Sequence, residues 1–301
     1  MEIYNSLVQN ENVSLALGFF DGVHLAHQKL IKKTSALAKA NGIKSALLTF
    51  MESPASIIFG TEPVYITPFE EKARLIEELG IDYLYVLDFN EFKSMRAEEY
   101  IKEVLIKTFC PKYIITGFNH TFGLNREGTG ELLKKFNSVY NYVEIEPVSI
   151  LNTLVSSTNI KKAIKEGEIE IANKMLNRNF SIKGKVVKGA QIARKLGYNT
   201  ANIFWNEKIV KPEYGVYSGL VDYEGASYAA LINFGIRPSV DKDLKETLEV
   251  HLIGFEGNLY DKTIEVEFSS KLRDEIKFNS LEELKNQIDK DYETLKNSPI
   301  I

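Results

Sequence analysis

Cysteine is almost absent. Cys110 stands alone in 301 residues, so no internal disulfide can staple the fold, and the cytoplasm is the expected compartment. No signal-peptide pattern opens the chain. No apolar run approaches the ~20 residues that a membrane-spanning helix needs, so no membrane association is expected. Positive charge is in short supply as well. The 37 Lys+Arg face 41 Asp+Glu, a net charge of −4, which is the wrong sign for a general nucleic-acid binder. Histidine is rare, with four in the chain, so a close pair of them carries information. The hydrophobic share of 44% and the charged share of 26% are those of an ordinary globular protein. The length suggests two domains, each able to bury a core.

Such a pair lies in Gly18-Phe-Phe-Asp-Gly-Val-His-Leu-Ala-His27. The stretch follows an apolar run, Val13–Leu17, short enough for a buried strand. It precedes Leu30, Ile31, Thr34, Leu37 and Ala38, spaced as one face of a helix. The pattern predicts strand, tight turn, helix. Gly18 and Gly22 would let the backbone approach a bound group closely. His24 and His27 would stand at the helix start, where unpaired N–H groups and the helix dipole attract phosphate. Two imidazoles there could stabilise charge on a transferring phosphoryl group without covalent chemistry.

The first ~178 residues alternate strand and helix, which predicts a parallel sheet covered by helices. Strands are expected at Ser45–Phe50, Tyr83–Phe89, Tyr113–Thr116 and Tyr142–Val148. A helix is expected from Pro68 to Leu79 with Thr67 as N-cap, and another from Ala97 to Phe109, stopped by Pro111. The loop Gly117–Gly123 follows a strand end, where ligands of open α/β sheets collect, and carries Asn119, His120 and Phe122. Ser156, Ser157 and Thr158 open a helix, with hydroxyls that can cap it or hold phosphate oxygens. Short helices are expected at 159–165 and 169–176 around Gly167, with Asn177 as a left-handed terminator.

From Phe180 the texture changes to alternating β patterns. Strands are expected at 182–187, 214–222, 226–234, 248–255 and 263–268, a spacing that suggests a small antiparallel barrel. Ser280 with Glu283 predicts a capping box for a last helix ending near Leu295. The expected division is therefore 1–178 and 179–301.

The run at 18–27 resembles the G-x-F-D-G-V-H-x-G-H-Q signature of the bacterial FAD synthetases, bifunctional riboflavin kinase/FMN adenylyltransferases. Further resemblances follow in the family's order from about residue 13 to residue 292. They imply a nucleotidylyl-transferase (Rossmann-like) α/β domain followed by a riboflavin-kinase-like β-barrel with a C-terminal helix. They imply AMP transfer from ATP to FMN in the first domain and ATP-dependent phosphorylation of riboflavin in the second. In the first domain the resemblance assigns Gly18, Phe19, Phe20, Asp21, Gly22, Ser156, Ser157, Thr158 and Lys161 to ATP. It assigns Phe50, Asn119 and Phe122 to the flavin, and His24 and His27 to catalysis. In the second it assigns Glu249 as the base for the riboflavin 5′-hydroxyl and Thr200 and Asn202 to ATP-bound Mg²⁺. Gly184, Gly189 and Arg273 are assigned to nucleotide or flavin.

The chain departs from the family pattern at named points. Ala26 stands for the glycine of H-x-G-H, Asn119 for an acid, and Asn159 and Lys161 for arginines. Asn199 replaces a proline of the kinase loop and Ala193 a glycine. Lysine at 161 keeps the charge but loses the bidentate fork. Two alternatives stay open on the sequence. One is an FMN adenylyltransferase with an inactive kinase-like domain, and the other a non-catalytic flavin-binding or regulatory protein. The expected partners are ATP, riboflavin, FMN and FAD, with no nucleic acid and no membrane. Weak self-association is compatible with the sequence.

Overall fold

The computed structural model describes residues 1–9, 12–188, 198, 200–238 and 244–296. Two compact units divide the chain, Met1–Ser157 and Thr158–Ile301. The change in sequence texture falls later, after 178.

In the first unit, six strands form one sheet: β1 (Glu2–Tyr4), β2 (Ser14–Leu17), β3 (Ser45–Phe50), β4 (Tyr83–Leu87), β5 (Tyr113–Gly117) and β6 (Asn141–Ile145). Their order is β1-β4-β3-β2-β5-β6 and every pairing is parallel. The central strand β2 is buried along its whole length, as a parallel strand covered on both faces must be. Side chains alternate between the faces. Leu15 and Leu17 of β2 and Ala46 and Leu48 of β3 join one core, while Ala16 and Leu47 join the other.

Helix α1 (Leu25–Ala40) buries Leu30, Ile31, Thr34 and Ala38, the stripe that the spacing predicts. Next come α2 (Pro54–Phe59) and α3 (Phe69–Glu78). Thr67 does not cap α3. Pro68 takes the N-cap position, and the buried Thr67 hydroxyl has no hydrogen-bond partner among the described residues. The helix expected at 97–109 forms in three parts: α4 (Ala97–Glu99), a π-helical stretch (Tyr100–Ile106) and α5 (Lys107–Phe109). A short α6 (Gly130–Lys134) and a two-strand ribbon, β7 (Ser149–Ile150) with β8 (Thr153–Leu154), complete the unit. Strand β1 and this ribbon carry too little pattern to be read from sequence.

Helix α7 (Ser157–Lys165) starts two residues before the expected position, and α8 (Ile169–Leu176) ends on Asn177 at φ 57°, the left-handed terminator. The strands of the second unit, β9 (Phe180–Val187), β10 (Ala201–Trp205), β11 (Gly215–Tyr223), β12 (Ala226–Pro238), β13 (Leu244–Leu252) and β14 (Thr263–Asp274), form a closed antiparallel barrel in the order β10-β13-β12-β11-β14-β9. Phe180, Tyr217, Phe234 and Phe268 fill its centre with ring contacts. Strand β10 had no sequence signal of its own.

The capping box of α9 (Leu281–Lys296) is present: Ser280 Oγ accepts from Glu283 N at 3.1 Å. The Glu283 carboxylate accepts from Asn279 N at 2.9 Å instead of returning to residue 280. Arg273 of β14 donates from Nε and Nη2 to the Asp291 carboxylate of α9, at 3.0 and 2.8 Å. Both side chains are largely buried. Removing one partner strands the other charge away from water, which costs more than the pair itself contributes. Asp291→Ala should therefore lower stability by about 2–4 kcal/mol in urea denaturation followed by tryptophan fluorescence. A loss below ~0.5 kcal/mol would mean that the pair is solvated in practice.

Candidate active sites

In the sheet order, β2, β3 and β4 run one way from the centre, and β5 and β6 lie on the other side of β2. The switch point is thus between β2 and β5, and open α/β sheets bind their ligands beyond the carboxyl ends of the strands at such a point. The two glycine-bounded loops picked out in the sequence, 18–24 and 117–123, leave those two ends.

The first loop is a tight left-handed turn. Phe20 has φ 59°, Gly22 φ 79° and Val23 φ 40°, values that non-glycine residues avoid at a cost of about 1–3 kcal/mol each. Several ties hold it. The Phe19 carbonyl accepts from Thr49 Oγ1 at 2.9 Å and from Lys72 Nζ at 3.3 Å. Asp21 Oδ1 accepts from Ile66 N at 2.8 Å, and the Asp21 carbonyl from Ser157 Oγ at 2.9 Å. Gln28 Nε2 donates to the Val23 carbonyl at 3.0 Å. The glycines are needed for this packing. A Cβ on Gly22 would lie 2.8 Å from Ile66 Cδ1, and one on Gly18 would lie 2.9 Å from the Phe20 ring.

The turn delivers the two histidines. His24 is the N-cap of α1, and its Nδ1 accepts from His27 N at 3.3 Å. An accepting Nδ1 carries no proton, so the neutral ring presents Nε2–H. The rings of His24 and His27 stack at 3.5 Å and 14°, and Phe20 closes edge-on against His27 at 5.1 Å. Burial first, then the adjoining His24 imidazole and the Lys72 ammonium, push the His27 imidazole well below its usual range. His27 is therefore neutral at pH 7. Its Nδ1 is buried without a hydrogen-bond partner among the described residues.

At the same carboxyl edge of the sheet, Phe50 ends β3 and packs on Phe89 and Phe92. Phe122 stacks on His120 at 5.8 Å and contacts Tyr100 at 5.7 Å. His120 is only half-exposed, and burial lowers its imidazole to about 4. Asn119 is exposed. Gly123, at φ 73°, passes so close to α4 that a Cβ would meet Ala97 at 2.8 Å. Ser157 heads α7 and its hydroxyl is spent on the Asp21 carbonyl. Thr158 and Lys161 follow on the same helix. A surface recess lined by Lys44, Gly80 and Asp82 sits at the amino ends of β3 and β4, the opposite edge of the sheet.

In the barrel, Glu249 of β13 is the direct cross-strand partner of Asn202 on β10 and of Asn233 on β12. Directly opposed residues share a face. The flanking pairs Ala201↔Val250 and Ile203↔Leu248 are buried in the barrel, so this polar row lies on its outer wall. Glu249 is nonetheless only 8% exposed. The structure thus joins Glu249 and Asn202 of the expected kinase site, and adds Asn233, which sequence reading did not single out. Thr200 stands just before β10.

Two other assignments meet different surroundings. Gly184 faces into the barrel, where a Cβ would lie 2.4 Å from the Phe204 carbonyl oxygen, so β9–β10 packing requires it. The Arg273 guanidinium is engaged by Asp291 and the Asp274 carbonyl. Gly189, Ala193 and Asn199 lie outside the described residues.

A parallel sheet with a histidine pair at its switch point, joined to a closed barrel with a carboxylate–amide row, defines a nucleotidylyl-transferase-type domain followed by a kinase-like barrel. Comparison with known proteins makes this specific. Residues 7–159 match the family described as FAD synthetase, and residues 176–298 match the family described as riboflavin kinase. A bifunctional riboflavin kinase/FMN adenylyltransferase of Buchnera aphidicola subsp. Schizaphis graminum is 40% identical over 301 residues, covering 98% of this chain and 96% of that protein. The protein of the same description from Bacillus subtilis is 34% identical over 283 residues, 92% of this chain and 89% of that one. A crystal structure described as a macrolide-efflux protein from Streptococcus pneumoniae superposes with a TM-score of 0.89 at 29% identity, over 99% of this chain and 100% of that one. Among the described residues no helix is long and apolar enough to cross a membrane. The chain belongs to the FAD synthetase family, with the riboflavin kinase module following.

The packing of the turn is open to test. Gly22→Ala keeps every reactive group but must place a methyl against Ile66 at positive φ. It should cost about 1–3 kcal/mol in urea denaturation. An unchanged midpoint would show that the turn relaxes without strain.

Proposed function

We propose that the first unit transfers AMP from ATP to FMN, giving FAD and pyrophosphate. We propose that the barrel transfers the γ-phosphoryl group of ATP to riboflavin, giving FMN. The observation that carries the reading is the stacked His24–His27 pair, set at the head of α1 beside the switch point.

In the adenylyl step a phosphate oxygen of FMN attacks the α-phosphorus of ATP. The new P–O bond forms as the bond to the β-phosphate oxygen breaks, and pyrophosphate leaves. No covalent enzyme intermediate is needed. The protein's work is to place two phosphates in line and to stabilise the charge that grows on them. His24, with its proton on Nε2, is a hydrogen-bond donor held by its own backbone cap. The free N–H groups of the first turn of α1 add a positive pole. Ser156, Ser157, Thr158 and Lys161 are assigned to ATP phosphates, and the Gly18–Gly22 turn to the adenylate. Phe50, Asn119 and Phe122 are assigned to the flavin.

In the kinase step Glu249 orients or deprotonates the riboflavin 5′-hydroxyl. Its place beside the Asn202 and Asn233 amides on the barrel wall supports this assignment. Neutral oxygen donors next to substrate phosphates suit a hard Mg²⁺ ion that keeps several waters. Thr200 and Asn202 would hold that ion, which supplies charge neutralisation on the phosphates when bound. Gly189 belongs to this assignment by resemblance. Gly184 and Arg273 fit a structural role better. A soluble enzyme acting in the cytoplasm, with weak self-association at most, is consistent with this reading.

Incubation with Mg²⁺-ATP followed by chromatography of riboflavin, FMN and FAD tests both halves. The expected result is FAD from either starting flavin. FAD from FMN alone would mean a silent barrel, and no product from either would mean a flavin-binding protein. His24→Ala and His27→Ala should each lower FAD formation roughly a hundredfold, with FMN formation from riboflavin retained. Glu249→Ala should do the reverse, by a similar factor.

A further inference from the structure

Lys72 is buried, 4% exposed, in a unit whose other lysines have no need to be inside. It lies on the apolar stripe of α3. Phe69, Lys72, Ala73 and Ile76 follow the i, i+3, i+4, i+7 spacing of a core-facing helix. A leucine or methionine would fill such a position at no electrostatic cost. An ammonium there gives up its water and retains little in return for folding. Its hydrogen bond and its nearer ring contact both reach the start of the histidine turn. Nζ donates to the Phe19 carbonyl at 3.3 Å and sits over the Phe19 ring at 4.6 Å and the Phe69 ring at 5.6 Å.

We propose that Lys72 is a positioning residue for adenylyl transfer, acting through the Phe19 carbonyl that begins the turn and through the neighbouring His27. This rests on the reading of the first unit as an adenylyltransferase. Two effects combine. The Phe19 carbonyl is the anchor from which three positive-φ residues are wound, and Lys72 shares it with Thr49. The ammonium also disfavours a second positive charge on His27, so the imidazole stays a neutral donor. The titratable groups that Lys72 faces are Asp21 and His27. Burial lowers the Lys72 amine to about 8, with Asp21 acting against the shift. Lys72 therefore remains mostly charged at pH 7. A group whose folded pKa is depressed in this way works against folding below its folded value, and stability rises with pH from about 8 towards the unfolded value. Loss of the ammonium should relieve that opposition while impairing the turn. A purely structural residue would give the opposite pattern.

The test uses the full chain and the variants Lys72→Met and Thr49→Val, with FAD formation from FMN and FMN formation from riboflavin measured side by side. For Lys72→Met the expected result is a fall of about tenfold or more in kcat for FAD formation, with KM for ATP changed less than about threefold. FMN formation should stay within about twofold and the thermal midpoint should not fall. The His27 imidazole pKa, read by NMR, should rise towards its ordinary value. Unchanged kcat, or an unmoved His27 pKa, overturns the proposal. If Lys72→Met loses both activities through unfolding, Thr49→Val decides. It removes the other donor to the same carbonyl, and full FAD formation in that variant overturns the proposal. If the unsubstituted chain forms no FAD from FMN, the functional reading itself fails and the proposal goes with it.

Discussion

One carbonyl group organises the first unit. The Phe19 oxygen, just past the end of β2, receives a hydroxyl from β3 and an ammonium from α3. Everything downstream depends on it: the left-handed Phe20, the glycine at 22, the N-cap at His24 and the stacked imidazoles. Backbone strain of this kind persists only where the surroundings over-determine it. Here the surroundings are rigid, because β2 is buried on both faces and α1 is packed against it. The strain is thus held against a strand that is buried along its whole length.

The two units reach phosphate chemistry by different routes. The first uses the carboxyl edge of a parallel sheet, where strand ends and a helix start meet, at a point that follows from topology alone. The barrel has no such edge. Its polar row is made by register: Asn202, Glu249 and Asn233 stand opposite one another on three adjacent strands. Alternation puts the apolar neighbours Ala201, Ile203, Leu248 and Val250 inside and this row outside. A one-residue slip of β13 would bury Glu249 in the barrel and turn Leu248 out. The packing that holds the barrel therefore also sets the position of its candidate base.

The histidine turn was legible in the sequence because its parts are contiguous and its flanks have clear periods. The strands of the sheet and barrel were legible for the same reason, apart from β1, β10 and the β7–β8 ribbon. What was hidden came from long range. Thr49 and Lys72 are 30 and 53 positions from Phe19, and nothing local marks either as part of a site. Lys72 did leave a trace, a cation on the apolar stripe of α3, which is a signal that can be sought. Thr67 misled for a local reason: the following proline is itself the N-cap, which leaves the threonine hydroxyl one residue too early. Glu249 looked like a solvent-facing acid on an alternating strand. The row that encloses it exists only through pairing, and resemblance was the sole sequence-level pointer to it.

The departures from the family signature acquire a physical order from this structure. Asn119 is exposed, and Ala26 and Lys161 are half-exposed. Ala26 and Asn119 are not among the ties that hold the turn at residues 19–23. Ala26 lies within the first turn of α1, where alanine favours the helix over glycine by about 1 kcal/mol. Its methyl thus firms the helix that carries His27, whatever it does near a phosphate. Asn119 exchanges an acceptor for a group that both donates and accepts, and Lys161 exchanges a fork for a point charge. The change at Asn119 acts on what a ligand meets, and leaves untouched the ties that set the two histidines in place. The ties of the turn and the exposed Asn119 are separate residues, so a substitution at 119 can retune recognition without loosening the turn.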